Sequence, residues 1–352
     1  MAAALFLIES YLYDFTERIM SQRYAKAYRS FPIPTPEERL HNVSDVSLIV
    51  PAINWDESFT DCIATWLSNN PLEITIVTIE SHAAAARALV AADAITSATI
   101  DTTIQVLVLD HANKRDQLVL AINAAQAPFQ QTDVGIVGGP IASHVPEERQ
   151  DPAVITPWEV AALRIRQRRG TAMHTFFAAD GSTNFTLPGC TMLLRAEILK
   201  DAVLQREFTN DNWMGVRQDT GDDSFITSYV LFQHLLHHHG EENPRQWKLG
   251  MQLIPEAGVH TGIATNSTKF ASQMKRWSRS GLRFRLTCLF YTLGLRLFWK
   301  SYPYMVRKMA EGMMTPVLTV LWFTAWFITL RNHPIFACLV ALRELGLKGQ
   351  CR

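Results

Sequence analysis

Four Val- and Ile-rich runs punctuate the first half of the chain: "DVSLIVPA" (45–52), "EITIVTI" (73–79), "IQVLVLD" (104–110) and "VGIVGG" (134–139). They recur about every 25–35 residues, the period of βαβ units, because consecutive parallel strands need a crossover of a dozen residues or more. Between them, "ESFTDCIATWLSNN", "SHAAAARALVAADAI" and "RDQLVLAINAAQ" suit crossover helices, and "GCTMLLRAEILKDAV" adds a later strand and helix. The spacing predicts an open α/β fold with a mostly parallel sheet. In such sheets the ligand lies beyond the carboxyl ends of the strands. That rule gathers Pro51, Ala52, Glu80, Ser81, the stretch 110–115 and the stretch 138–140 around one crevice.

A nucleotide is the natural occupant of that crevice, yet two familiar ways of holding one are missing. No G-x-G-x-x-G follows the first strand and no G-x-x-x-x-G-K-[ST] occurs anywhere, which counts against a dinucleotide oxidoreductase and a P-loop enzyme. Phosphate must then be neutralised by side-chain cations or by a carboxylate-bound metal. Lys+Arg and Asp+Glu balance at 33 each, so no overall field favours nucleic acid. The cysteines (Cys62, Cys190, Cys288, Cys338, Cys351) are odd in number, far apart and free of C-x-x-C spacing. Neither a disulfide framework nor a zinc site is expected.

The ends of the chain have a different texture. "MAAALFLIESYLYDFTERIM" lacks a basic n-region, so a cleaved signal peptide is not expected. Its mixed apolar and charged spacing predicts a helix, lying at a membrane interface or packed on the protein. "FPIPTPEE" (31–38) reads as a linker. Near the carboxyl end, "MMTPVLTVLWFTAWFITL" (313–330) carries no charge and contains Trp322, Phe323, Trp326 and Phe327. It reads as a membrane segment with Pro316 in its first turn, whereas the apolar stretch 335–342 is too short to span alone.

Two stretches carry chemistry. "DTGDD" places Asp219, Asp222 and Asp223 within five positions, just before the helix-like "SFITSYVLFQHLL". A helix cap needs one acid, not three, and adjacent like charges disfavour joint ionisation, which suits a general base. Downstream, "QMKRWSRSGLRFR" (273–285) concentrates Lys275, Arg276, Arg279, Arg283 and Arg285. Such a run fits the positive-inside rule, but Arg can also clamp phosphate oxygens and Trp can floor a sugar site. His237, His238 and His239 are adjacent and so do not share a helix face; a solvated end is expected there rather than a metal site.

T-G-D-D followed about fifty residues later by Q-x-x-R-W, ahead of an apolar segment, resembles the membrane-bound inverting glycosyltransferases of family 2. Hyaluronan-synthase-like proteins and fungal capsular-polysaccharide-synthase-like proteins are the nearest in pattern. "VSLIVPAIN", Lys114-Arg115, "VGIVGGP" and "LPGCTMLLRAEIL" extend the resemblance. It implies a GT-A-like, Rossmann-like α/β domain over 44–285, after an interfacial helix and linker (1–43) and before an interfacial and transmembrane region (286–352). It implies Asp223 as the base that deprotonates the acceptor hydroxyl and Asp222 as an orienting acid. Arg276 is implied on the leaving diphosphate and Trp277 at the acceptor, with Gln273 beside them; Lys114, Arg115 and Glu80 are implied at the nucleotide. The implied partners are a nucleoside-diphosphate sugar, UDP-linked by analogy, a glycan acceptor, membrane lipid and an associated synthase, with the catalytic domain facing the cytosol and no nucleic acid.

The family also implies Mn²⁺ or Mg²⁺ held by a D-x-D motif. No D-x-D occurs in this chain: "KRDQLVLAINAAQAPFQQTDVGIVGGP" passes straight from a helix to the next strand. Loss of that strand and its loop is expected to leave the metal site incomplete, part the neighbouring strands and weaken turnover. A catalytically impaired relative that partners an active synthase is the alternative.

Overall fold

The computed structural model describes residues 2–32, 35, 37, 42–53, 57–98, 101–125, 133–143, 145–183, 186–236, 247–292 and 295–349. Its chain forms two compact units, one of Met1–Arg29, Gln167–Phe185 and Arg285–Arg352, the other of Ser30–Arg166 and Thr186–Phe284. Half of the 31–38 linker and all of 237–239 lie outside the described residues.

The amino-terminal helix α1 is Ala2–Ala27. The second unit then opens with β1 (Ser47–Pro51), α2 (Glu57–Leu67), β2 (Glu73–Ile79), α3 (Glu80–Val90), α4 (Asp93–Ala98), β3 (Thr103–Leu109) and α5 (Lys114–Ala124). It continues with β4 (Val134–Gly138), β5 (Ile141–Ser143) and α6 (Pro157–Asp180), the last running on into the first unit. Next come β6 (Met192–Leu194), α7 (Ala196–Leu199), α8 (Ala202–Thr209), β7 (Asn212–Trp213), β8 (Val216–Arg217) and α9 (Asp222–Leu236). The unit ends with β9 (Lys248–Met251), β10 (Val259–Thr261) and most of α10 (Ser267–Leu286). A π-helical turn (Thr287–Thr292), α11 (Leu295–Ser301), α12 (Pro303–Asn332) and α13 (Pro334–Gly349) complete the first unit.

The first three apolar runs pair as expected: β1, β2 and β3 form a parallel sheet in that order, with Ser47 opposite Glu73 and Glu73 opposite Thr103. The central strand β2 has Ile74, Ile76 and Val77 fully buried, because helices cover both its faces. Ile63, Leu67 and Ile95 close one side of that core. The fourth run departs from expectation. Among the described residues β4 joins no strand of this sheet; it is the centre of a second, mixed one, antiparallel to β6 and parallel to β9. The α/β fold is therefore split into two three-stranded sheets. Helix α5 packs on β1 and β2 and touches α8, α8 touches α9, and α9 packs on β4 and β9. This helical layer is what joins the sheets. Every residue of β1 is only half-buried, which suits a strand paired on one side alone.

In the first unit α12 is one 30-residue helix, about 45 Å long at 1.5 Å per residue. Pro316 lies inside it rather than in its first turn, because the helix begins at Pro303 and not near 313. Its start is held by Asp180, whose carboxylate accepts from the Met305 amide at 3.0 Å. Helix α1 packs along it, with Glu17 paired to both Arg307 and Lys308. Leu7 is fully buried, while Leu5, Leu12 and Phe15 on α1 and Val320, Phe323 and Phe327 on α12 are more than half exposed.

Candidate active site

Several of the stretches singled out in the second unit converge on the turn before α9. Gly221 has φ +74°, a left-handed conformation that lets the chain reverse from β8 into the helix at no Cβ cost. The Phe225 amide donates to the Gly221 carbonyl at 3.0 Å, so helical hydrogen bonding starts at the turn itself. Asp222 and Asp223 are the first two residues of α9, where the helix dipole favours carboxylates.

The two acids are held differently. Asp222 is nearly buried and receives the Lys114 ammonium at 2.7 Å, which relieves the repulsion between neighbouring carboxylates. Lys114 stands there because Asn113 caps α5, accepting from the Arg115 and Asp116 amides at 2.9 and 3.3 Å. Half of the Lys114 side chain remains exposed. Asp223 is half-buried, and its Oδ1 accepts from the Ser224 amide at 2.8 Å. Its backbone carbonyl accepts from the Thr227 hydroxyl at 2.7 Å, and Thr227 in turn accepts from the Leu187 amide at 3.1 Å. That last bond brings "LPGC" to the site: a Cβ added at Gly189 would stand 3.8 Å from the Asp223 Cβ.

"VGIVGGP" reaches the same place through the Gly139 amide, which donates to the Thr191 carbonyl at 3.3 Å. Gly139 is required by close approach, since a Cβ there would lie 2.4 Å from the Ala257 carbonyl oxygen.

The Q-x-x-R-W helix packs directly on the turn. A Cβ at Gly221 would sit 3.7 Å from Ser280 and 3.9 Å from the Arg283 guanidinium. Gln273, Trp277, Ser280 and Phe284 recur at helical spacing and form the inward face of α10: the first three are half-buried and Phe284 is buried. Lys275, Arg276 and Arg279 are exposed. Glu80 is exposed as the first residue of α3, at the carboxyl end of β2.

Arg115 corrects an expectation. Its side chain is fully buried, between the rings of Phe208 and Phe225 at 4.8 and 5.3 Å. It donates to the carbonyls of Phe208 (2.8 Å) and Thr220 (3.2 Å) and pairs with Asp211 at 2.8 Å. Burial pulls its guanidinium below the ordinary arginine range, and Asp211 opposes that pull. A guanidinium so enclosed supports the turn from behind and does not reach a nucleotide. Asp211 also pairs with Arg283 at 2.7 Å. Neither Asp211 nor Arg283 stands out in the sequence as a site residue.

Beside this cluster His111 lies between two carboxylates, 2.5 Å from Asp110 and 2.8 Å from Asp116. Asp116 is also paired with Arg217 of β8 at 2.6 Å. The hydrogen bond to Asp116, then that to Asp110, raises the imidazole's pKa.

A divalent ion does not fit what is described. No three His, Cys, Asp or Glu side chains among the described residues stand close enough to hold a metal. The local acids are engaged: Asp222 by Lys114, Asp211 by two arginines, Asp116 by His111 and Arg217. A concavity of about 500 Å³ lined by Gln22, Ala25, Lys26 and His174 belongs to the first unit and contains none of the residues named above.

No protein-family model matches the chain. An NDP-glycosyltransferase of Aspergillus luteorubrus, ltbB, is 32% identical over 351 residues, covering 93% of this chain and 81% of its own length. A type 2 glycosyltransferase of Zymoseptoria tritici is 29% identical over 282 residues, 74% of this chain, but this chain spans only 54% of that relative. A similar relative from Pyricularia oryzae is 24% identical, covering 90% of this chain and 66% of its own length. Among solved structures, the mannosyltransferase PcManGT of Pyrobaculum calidifontis, determined with GDP-Man and Mn²⁺, superposes with a TM-score of 0.58. It covers 98% of this chain and 91% of its own, at 13% identity, a likeness of fold.

Proposed function

The chain belongs to the glycosyltransferase family of these fungal relatives, and from that premise we propose that it moves a sugar from a nucleoside-diphosphate donor to a hydroxyl acceptor with inversion. One observation carries this reading: the GDD turn, the Lys114-Arg115 pair, "LPGC", "VGIVGGP" and the Q-x-x-R-W helix, far apart in sequence, meet around Asp223. The domain is read as GT-A-like, and the solved mannosyltransferase's fold supports that.

In this mechanism Asp223 accepts the proton of the acceptor hydroxyl as its oxygen attacks the anomeric carbon. The bond to the leaving nucleoside diphosphate breaks on the opposite face. Lys114 has three N–H donors and spends one on Asp222, so its exposed side can meet phosphate oxygens. Arg276, exposed on α10, supplies a second cation to the departing charge, and Trp277 and Gln273 line the sugar and acceptor side. Glu80 lies at the nucleotide edge. No step is routed through a divalent ion, because no three His, Cys, Asp or Glu side chains among the described residues stand close enough to hold one.

The first unit anchors this domain to a membrane. Helix α12 is long and apolar enough to cross one, and only 11% of its apolar window is buried. The hydroxyls of Thr315, Thr319 and Thr324 bond back to carbonyls four residues earlier, so these three donors are satisfied within the helix. The cations of α10 precede the span, and the positive-inside tendency supports reading the catalytic unit as cytosolic.

The test is release of nucleoside diphosphate from a panel of UDP- and GDP-sugars by detergent-solubilised protein. Release with at least one donor is expected. A folded protein that releases none would contradict transfer and favour a non-catalytic partner of a synthase.

A further inference from the structure

We propose that Asp211, gripped by Arg115 and Arg283, is a positioning residue that fixes the catalytic turn against the Q-x-x-R-W helix; this deepens the transferase reading and rests on it for its kinetic part. Asp211 Oδ2 accepts from Arg115 at 2.8 Å and from Arg283 at 2.7 Å. Two cations from two different elements therefore share one oxygen. Arg115 comes from α5, and the same Nη2 that meets Asp211 also donates to the Thr220 carbonyl at 3.2 Å, one residue before the turn glycine. Arg283 comes from α10, beside Ser280, against which Gly221 lies.

The chain of contacts runs from α10 through Arg283, Asp211 and Arg115 to Thr220, and so to Asp223 three residues on. Arg276 stands seven residues before Arg283 on the same rigid helix, about 10 Å away along its axis. Asp211 thus sets the distance between the residue that takes the acceptor proton and the one that meets the leaving group. Its own backbone is pinned, since its carbonyl accepts from the Gln218 amide at 2.9 Å across the β7–β8 hairpin.

Packing alone does not call for this arrangement. Buried ionic triads are commonly no more stabilising than apolar side chains of the same volume. Here Arg115 Nε and Arg283 Nη1 are also buried with no hydrogen-bond partner among the described residues, so the triad is not arranged for maximum stability. What charged groups supply is direction: a carboxylate oxygen shared by two guanidinium groups has one geometry, where an apolar contact has many.

The experiment uses the full chain in detergent, with Arg283→Met, Arg283→Lys and Asp211→Asn. Amide hydrogen exchange is followed over 218–225, with melting temperature and, where a donor has been found, kcat and KM. In Arg283→Met and Asp211→Asn the amides of 221–224 should exchange at least about tenfold faster. In the same two variants kcat should fall about 10–100-fold while the donor KM changes little. Arg283→Lys should recover part of both. Unchanged exchange over 218–225 would overturn the proposal, and so would a loss of kcat that merely follows melting temperature and is equal for Lys and Met. If one variant does not fold, the others decide by the same readouts. If the wild type turns over no donor, the transferase reading falls, and hydrogen exchange still decides whether the lock exists.

Discussion

Replacing Gly221 by alanine tests the turn with a single methyl group. Space is not the obstacle, since the added Cβ would meet Ser280 at 3.7 Å, an ordinary van der Waals contact. The obstacle is the backbone: φ is +74°, and holding an L-residue in that region costs about 1–2 kcal/mol. Asparagine tolerates the same region better, so its cost should be roughly half of alanine's. In a domain of this size each kcal/mol lowers Tm by about 2–4 °C. Gly221→Ala should therefore melt about 2–8 °C below wild type, with Gly221→Asn between them. Activity should fall further than stability, because the strained turn can relax only by moving Asp222 and Asp223 relative to α10. A loss of about 10–100-fold in kcat is expected for alanine, the scale of a sub-ångström to ångström misplacement. The assay is nucleoside-diphosphate release beside a thermal melt. An alanine variant as stable and active as wild type would show that the turn needs no positive φ. Asparagine doing worse than alanine would show that the penalty is not conformational.

Lys114→Met leaves the nearly buried Asp222 without its ammonium and should cost about 1–3 kcal/mol by denaturant titration, toward the low end because Lys114 is half exposed. Adding Asp222→Asn should recover part of that loss, and strict additivity would show that the pair is not coupled. His111 has its pKa raised by Asp116 and Asp110, so its clasp stabilises fully below the unfolded value of about 6.5 and is lost as pH rises through the higher folded value. NMR titration should find its midpoint above about 6.5, and the protection factors of the β7–β8 hairpin amides, taken relative to base-catalysed intrinsic exchange, should fall on the alkaline side in wild type but not in His111→Gln. The protein should stay in the membrane pellet after alkaline carbonate; release into the supernatant would refute a spanning α12.

The parts legible in the sequence were those set by local pattern. The apolar runs and their spacing located β1 to β4, and the 3.6-residue period of α10 explains why Gln273 and Trp277 face inward while Arg276 does not. The division into two sheets was not legible, because strand pairing is decided between distant segments and the fourth run looks like the first three. Arg115 misled for a similar reason. Beside Lys114 it reads as a nucleotide contact, but Phe208 and Phe225, about a hundred residues downstream, close over it. Asp211 is a lone acid in "FTNDNWMG", and Arg283 hides in a basic run; only the fold shows them sharing one interaction. Pro316 was expected in a first turn because the charge-free run marks where the helix becomes apolar, not where it begins.

The central claim is that Asp223 is the base of a transferase, and Asp223→Asn measures it most directly. Amide for carboxylate keeps the shape and an oxygen to accept from the Ser224 amide, but removes the proton acceptor. Calorimetric binding of the donor nucleoside diphosphate and steady-state release from the sugar donor should be measured on the same preparation. The account predicts binding within about threefold of wild type and a fall in turnover of about 10²–10⁴-fold. Turnover close to wild type, with binding intact, would contradict it.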